Sequence, residues 1–274
     1  MTYRRALRAQ LHIKALAYLC KGLLLIIFAL YVARYFSMRS TLAIDQVQVA
    51  GVHVADTPTI EAIAHEELAK SYLFGFVKRG NQWLYPKEEI ATRIKETNGW
   101  IDTANVVASR KKIDITIEEH TPAFLWCGGV EQATTSATES YCYFANKEGY
   151  IFAPAPGYSG FPYLRIVSDL GEGVDHPYGA YALSKEEFER VNAFALALRE
   201  AGYAPLAVED MTERDYRFHT NLPWYVVWNS GTDIDLSIAH LKAAIDAIMK
   251  EMRKDPSRAY REIDLRFGDK VFYR

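Results

Sequence analysis

The stretch KIDITIEEHTPAFLW, Lys112–Trp126, joins two differently patterned halves of the chain. Ile113, Ile115 and Ile117 alternate with Asp114, Thr116 and Glu118, the period-two signature of a strand with one buried face. The alternation stops at His120. PAFLWCGG then opens a second, strand-rich run, so we place one domain over residues 44–120 and another over 121–274.

Upstream, TANVVAS reads as the strand preceding Lys112. PKEEIATRIKETNG is a helix started by Pro86, with Ile90 and Ile94 on one face and a stop at Asn98-Gly99. FGFVKRGNQWLY looks like a loop with aromatic anchors. TPTIEAIAHEELAKSYL is another helix: Thr57 is the expected N-cap, Pro58 the first helical residue, and Ile60, Ile63, Ala64 and Leu68 the apolar stripe. IDQVQVAGV alternates imperfectly through Ile44, Val47 and Val49 and stops at Gly51. The order is β-α-α-β-β in about 75 residues.

Downstream, PAFLWCGG and SYCYFANKEGYIFAP form a hairpin and a further strand. SKEEFERVNAFALALREAG is a helix with a Ser184/Glu187 capping box, a Phe188, Val191, Ala195, Leu198 stripe and a Gly202 stop. YRFHT, WYVVWNSG and TDIDLS read as successive strands. IAHLKAAIDAIMKEMRKDP is the last helix, with Leu241, Ile245, Ile248 and Met252 on one face. REIDLRFGDKVFYR closes the chain on a strand whose Ile263, Leu265 and Phe267 alternate with Glu262, Asp264 and Arg266. Such a strand is either stitched into a sheet or lies at its edge. The fold class is α+β, the second domain being a mixed α/β unit on a largely antiparallel sheet.

The net charge of −2 is unevenly spread. Residues 1–44 hold seven of the 32 Lys and Arg residues and no acid, leaving 25 bases against 34 acids over the other 230 residues, a net charge of −9. An acidic body gives no support to nucleic-acid binding. Within the basic head, 15–36 is a candidate transmembrane helix after a cytoplasmic segment 1–14. Its 22 residues reach roughly 33 Å, and its apolar side chains outweigh Lys21, which sits near one end and can snorkel. Tyr31 and Tyr35 occupy the places where an A-x-A cleavage site needs small residues, so the span should be retained. The bases preceding it outnumber those following it, which sets the N-terminus in the cytoplasm and the acidic body outside.

Nothing in the pattern points to catalysis. The seven histidines (12, 53, 65, 120, 176, 219 and 240) form no H-E-x-x-H, PGYSGF around Ser159 is one residue short of a nucleophile elbow, and no Gly-rich loop joins a strand to a helix. We expect no enzyme, no metal, no cofactor and no small-molecule substrate. The acidic run Glu209–Asp215 reads as a solvated loop. Cys127 and Cys142 lie on the two arms of the hairpin. Outside the membrane they could form a disulfide, worth roughly 3 kcal/mol for a loop of about 15 residues, or remain two buried thiols.

The basic head, the single span, the β-α-α-β-β module and the strand-rich second half together resemble the bacterial cell-division protein family FtsQ, called DivIB in other bacteria. The resemblance rests on VQVAGV, DITIEEHTPAFLW, YFANKEGYIF, WNSGTDIDL and IDLRFGDKVFY, in that order. Ser109–Lys112, SRKK, replaces the family's usual Pro-containing turn, and Gly128–Ser140 is long for its hairpin. The resemblance implies a POTRA domain over 44–120 and a non-catalytic scaffold at the division septum. It implies a last strand at an accessible edge, with Glu262, Asp264, Arg266, Phe272 and Tyr273 facing away from the core. The implied partners are FtsB/DivIC-like and FtsL-like single-span proteins, recruited by strand addition. The POTRA edge near Ile44–Val49 is a second candidate. The alternative function is a POTRA-bearing secretion or envelope-assembly component that binds substrate polypeptides; it lacks the expected repeats of the module and the many strands of a barrel.

Overall fold

A computed structural model describes residues 2–128, 142–157, 160–170, 176–212, 214–268 and 270–274. Most of the long hairpin loop, and Ser159, lie outside the described residues. The chain forms two compact units, Met1–Glu119 and His120–Arg274.

Helix α1 (Thr2–Ser37) runs without a break through the basic head and the apolar segment. Its stretch Leu16–Ser37 has a mean hydropathy of 2.2, is exposed over most of its length, and is long and apolar enough to cross a membrane.

The rest of the first unit is a three-stranded sheet with two helices. The chain runs β1 (Gln46–Ala50), α2 (Thr57–Ala69), β2 (Ser71–Tyr72), β3 (Val77–Lys78), α3 (Lys87–Thr97), β4 (Ile101–Ser109) and β5 (Lys112–Glu119). The order is β1-β5-β4, with β1 parallel and β4 antiparallel to β5. Ile113, Ile115 and Ile117 of the central strand meet Ile60, Ile63, Ala64 and Leu68 of α2 and Ile90 and Ile94 of α3, all buried. Those stripes are the ones the sequence periodicity predicts. Gly51 ends β1 at φ +83°, and a Cβ there would come within 2.2 Å of the Ile117 carbonyl oxygen, so only glycine fits.

Two details differ from expectation. The N-cap of α2 is Asp56, not Thr57: its Oδ2 accepts from the Thr59 N–H at 3.0 Å, which a carboxylate facing the helix N-terminus does well. And α2 stops at Ala69: the last residues of the expected helix form β2, whose Tyr72 pairs with Val77 of β3 in the expected aromatic loop.

Glu119, the last residue of this unit, staples the loop that enters α2. Its carboxylate accepts backbone N–H bonds from His53 (3.1 Å), Val54 (3.0 Å) and Ala55 (2.8 Å). Burial alone would raise its pKa, but the three amides hold it below the ordinary 4.5. A depressed carboxylate pKa contributes stability that is fully present above the unfolded value and is lost as pH falls through the folded one. The stability of the first unit against chemical denaturation should therefore fall as pH drops below about 4.5, and Glu119→Gln should flatten that part of the profile. An unchanged profile in the variant would show that the staple contributes nothing.

The second unit is built on one sheet: β6 (Phe124–Cys127), β7 (Cys142–Ala145), β8 (Ile151–Pro154), β9 (Arg165–Val167), β10 (Pro205–Thr212), β11 (Asp215–Thr220), β12 (Tyr225–Asn229), β13 (Glu262–Phe267) and β14 (Lys270–Tyr273). Among the described residues the order is β14-β13-β12-β11-β10-β9-β6-β7-β8. Pairs β6–β9, β9–β10 and β12–β13 are parallel and the other five antiparallel, so the sheet is mixed. Helices α4 (Lys185–Glu200) and α5 (Ile234–Lys254) pack Val191, Phe194, Leu198, Leu241 and Ile248 onto Ile166, Phe218, Val226 and Ile263. Cys127 and Cys142 face each other across β6–β7 with Cα atoms 4.2 Å apart, joined by a disulfide.

Three expectations are corrected here. TDIDLS is not a strand: Asp233 caps α5, its Oδ1 accepting from the Leu236 N–H at 2.8 Å, and helix begins at Ile234. The acidic run is not a solvated loop, because β10 extends to Thr212 and β11 starts at Asp215; Glu209 is held by Arg217 across the pair at 2.8 Å. The capping box is half formed. Ser184 accepts from the Glu187 N–H, but the Glu187 carboxylate turns instead to Arg214 Nε (3.0 Å), Tyr216 O–H (3.0 Å) and Ser230 O–H (2.7 Å). Three donors outcompete one exposed backbone amide.

Candidate functional site

The closing stretch is a hairpin rather than one strand. The chain turns at Gly268 (φ +62°), and Lys270–Tyr273 returns antiparallel to Glu262–Phe267. Strand β13 is thus stitched in beside β12, with Val226 opposite Ile263 and Val227 opposite Asp264, while β14 takes the edge.

The hairpin register explains which side chains reach the surface. Ile263 opposes Tyr273 and Asp264 opposes Phe272, but Phe267 opposes Lys270, so β13 carries one extra residue between these pairs. Such a bulge reverses the facing of everything beyond it. Ile263 and Leu265 are buried as expected, but Phe267, expected in the core, is half exposed on the outer face. There its ring meets Phe272 edge-to-face at 5.1 Å.

Of the five residues expected to face a partner, Glu262, Asp264, Arg266 and Phe272 share the outer face, which forms a groove with Phe267 and Lys270. Asp264 is only 6 % exposed and is already engaged. It takes a two-pronged bond from Arg266, Nε to Oδ1 at 2.9 Å and Nη2 to Oδ2 at 2.7 Å, and Arg266 Nη1 reaches Asp215 at 2.6 Å. Asp264 first, then Asp215, raise the Arg266 pKa further, so the guanidinium is a fixed charge. Tyr273 points the other way. Being opposite Ile263, it lies on the core side, where its ring packs 5.6 Å from Tyr260. Arg274, unforeseen in the sequence, covers Glu262 at 2.8 Å.

The backbone at this edge is open. Glu262 and Arg274 exchange both N–H···O=C bonds at 3.2 Å. Alternation along an antiparallel ladder then turns the N–H and C=O of Val271 and Tyr273 away from β13, toward the outside of the sheet. The opposite end of the sheet is closed: Ile151 N–H donates to the Ala180 oxygen, and Gly179 N–H to the Ile151 oxygen, both at 2.9 Å. Among the described residues, segment 179–182 covers the start of β8 at Ile151, and no comparable backbone bond covers β14.

In the first unit β1 and β4 are the edges. The expected candidate segment Ile44–Val49 is partly committed, since the Ile44 N–H donates to the Gly80 oxygen at 3.0 Å.

The chain matches no protein-family model, and no curated protein matches it significantly.

Proposed function

We propose that this protein is a non-catalytic scaffold of the bacterial cell-division complex, which holds single-span membrane partners by adding one of their strands to β14. The observation that carries this reading is the asymmetry of the second unit's sheet among the described residues: segment 179–182 bonds β8 at Ile151, and no backbone bond reaches the outer side of β14 beside exposed Phe267 and Phe272. Natural sheets protect such edges unless they are used. Backbone bonds to Val271 and Tyr273 would supply affinity, and the aromatic pair with the Glu262, Arg266 and Lys270 charges would select the incoming side chains. The β-α-α-β-β order of residues 44–120 supports the POTRA reading of the first unit. In this proposal α1 spans the cytoplasmic membrane with its N-terminus inside, both units lie outside it at the septum, and the partners are of the FtsB/DivIC and FtsL class.

Site-specific photo-crosslinking in dividing cells tests it, with probes placed singly at 262, 264, 266, 267, 270, 272 and 273. Adducts with one small membrane protein, strongest at Phe267, Lys270 and Phe272 and weak at the buried Asp264, are the expected outcome. A folded protein that gives no adduct anywhere along the hairpin would place the binding surface elsewhere and end this reading of β14.

A further inference from the structure

The ribbon β2–β3 has no role in the proposal above. Its segment KSYLFGFVKRG, Lys70–Gly80, holds three bases, three aromatic residues and no acid. At its tip Leu73 (φ 49°), Phe74 (φ 55°) and Gly75 (φ 94°) are all left-handed. Two consecutive non-glycine residues in that region are disfavoured by contacts between Cβ and the backbone. The conformation turns both side chains outward: Leu73 is more than half exposed and Phe74 wholly so. A strained backbone presenting two large apolar groups calls for an occupant outside the unit.

The course of the ribbon along α1 indicates which occupant. Gly80 oxygen accepts from the Ile44 N–H, Asn81 Nδ2 donates to the Phe36 oxygen at 2.9 Å, and Phe76 oxygen accepts from Arg34 Nη1 at 3.2 Å. Ile44 lies beyond the helix, and the two contacts with α1 itself step from Phe36, met by Asn81, to Arg34, met by Phe76, toward the middle of the apolar segment. The tip, one to three residues beyond Phe76, continues in that direction. The Arg34 guanidinium lies 4.8 Å over the Phe76 ring, and Phe36 packs 5.9 Å from the exposed Trp83. Arginine, lysine and aromatic rings beside a span are the composition of a bilayer interface.

We propose that the Leu73–Gly75 tip inserts into the lipid interface beside α1, giving the first unit a second attachment to the membrane. Lys78 and Arg39 would then lie among the headgroups, while Arg79 stays paired with Glu67. The attachment would fix how the unit stands on the bilayer instead of leaving it on a free stalk. This inference rests on the reading of α1 as a membrane span.

The test uses the full-length chain in phosphatidylethanolamine/phosphatidylglycerol vesicles, with Cys20→Ser and a single nitroxide on a cysteine at position 74, 26 or 96. Collision with apolar oxygen is compared with collision with a polar nickel chelate. Position 96, exposed on α3, should favour the chelate and position 26 oxygen; position 74 should favour oxygen, at a shallower depth than 26. Chelate preference at 74 with a deep label at 26 would overturn the tip insertion alone. A shallow label at 26 would overturn it together with the span. Dipolar broadening at 74 that disappears on dilution with unlabelled chain would assign the tip to a second copy and also overturn the proposal.

Discussion

Val271→Pro is expected to weaken capture of a partner strand by tenfold or more while leaving the fold nearly unchanged. The Val271 N–H points out of the sheet, because Glu262 and Arg274 exchange bonds and the alternation places Asp264 and Phe272 in the next bonded pair. Proline therefore removes an outward donor without breaking a bond to β13, and its ring occupies the path of the incoming backbone. A partner carbonyl left buried without its donor costs about 1–3 kcal/mol, and about 1.4 kcal/mol is already tenfold in affinity. Phe272→Pro is the paired control. It removes a bond to β13 and should loosen the hairpin itself. Binding titrations with the partner's extracytoplasmic peptide, run alongside thermal melts, separate the two. Wild-type affinity in a folded Val271→Pro protein would mean the partner does not pair with this edge.

Trp228→Ala is expected to cost about 3–5 kcal/mol of the second unit's stability. Trp228 sits on β12, is 1 % exposed, and stacks flat on Phe194 of α4 with ring centroids 4.3 Å apart. Phe218 and Tyr216 close around it from β11 at 6.2 and 6.4 Å. Removing the indole leaves a cavity at the place where helix and sheet meet, and well-packed surroundings fill it only in part. Because β12 is the strand on which β13 is laid in parallel, the loss should spread to the partner edge. Urea denaturation would show the lowered midpoint, and hydrogen exchange would show faster opening at β13 and β14. Trp228→Phe should cost much less, since the indole N–H has no partner among the described residues and only volume is lost. Equal losses in the two variants would show that stacking volume is not what Trp228 supplies.

The two halves of the chain were unequally legible. In residues 44–120 the periodic positions of both helices and of the central strand are all buried, because each of those elements has one apolar face meeting one common core. Val47 and Val49 of β1 are only half-buried, and the buried Ile101 and Val106 of β4 were not singled out. In the second unit the same reasoning misplaced TDIDLS and the acidic run. Asp233 caps the helix through the Leu236 N–H three residues on, a local signal that the strand reading of TDIDLS overrode, whereas Glu209 is held by a cross-strand arginine that local patterning does not show. At the candidate site the outward set Glu262, Asp264, Arg266 and Phe272 was legible as alternation. Gly268, followed by the short KVFY run, was the signal for a hairpin, and reading it would also have brought Lys270 and Val271 into view.

From the sequence alone came an apolar N-terminal helix, an α+β body divided near residue 120, and the faces of most helices and strands, since hydrophobic period and local steric preference set these. Tertiary structure decided which sheet end stays open. Segment 179–182 closes β8 through long-range backbone bonds, and a one-residue bulge in β13 turns Phe267 outward beside Phe272. Neither outcome has a local cause: edge protection depends on where a distant loop lands, and bulge register on how two strands settle against a shared core.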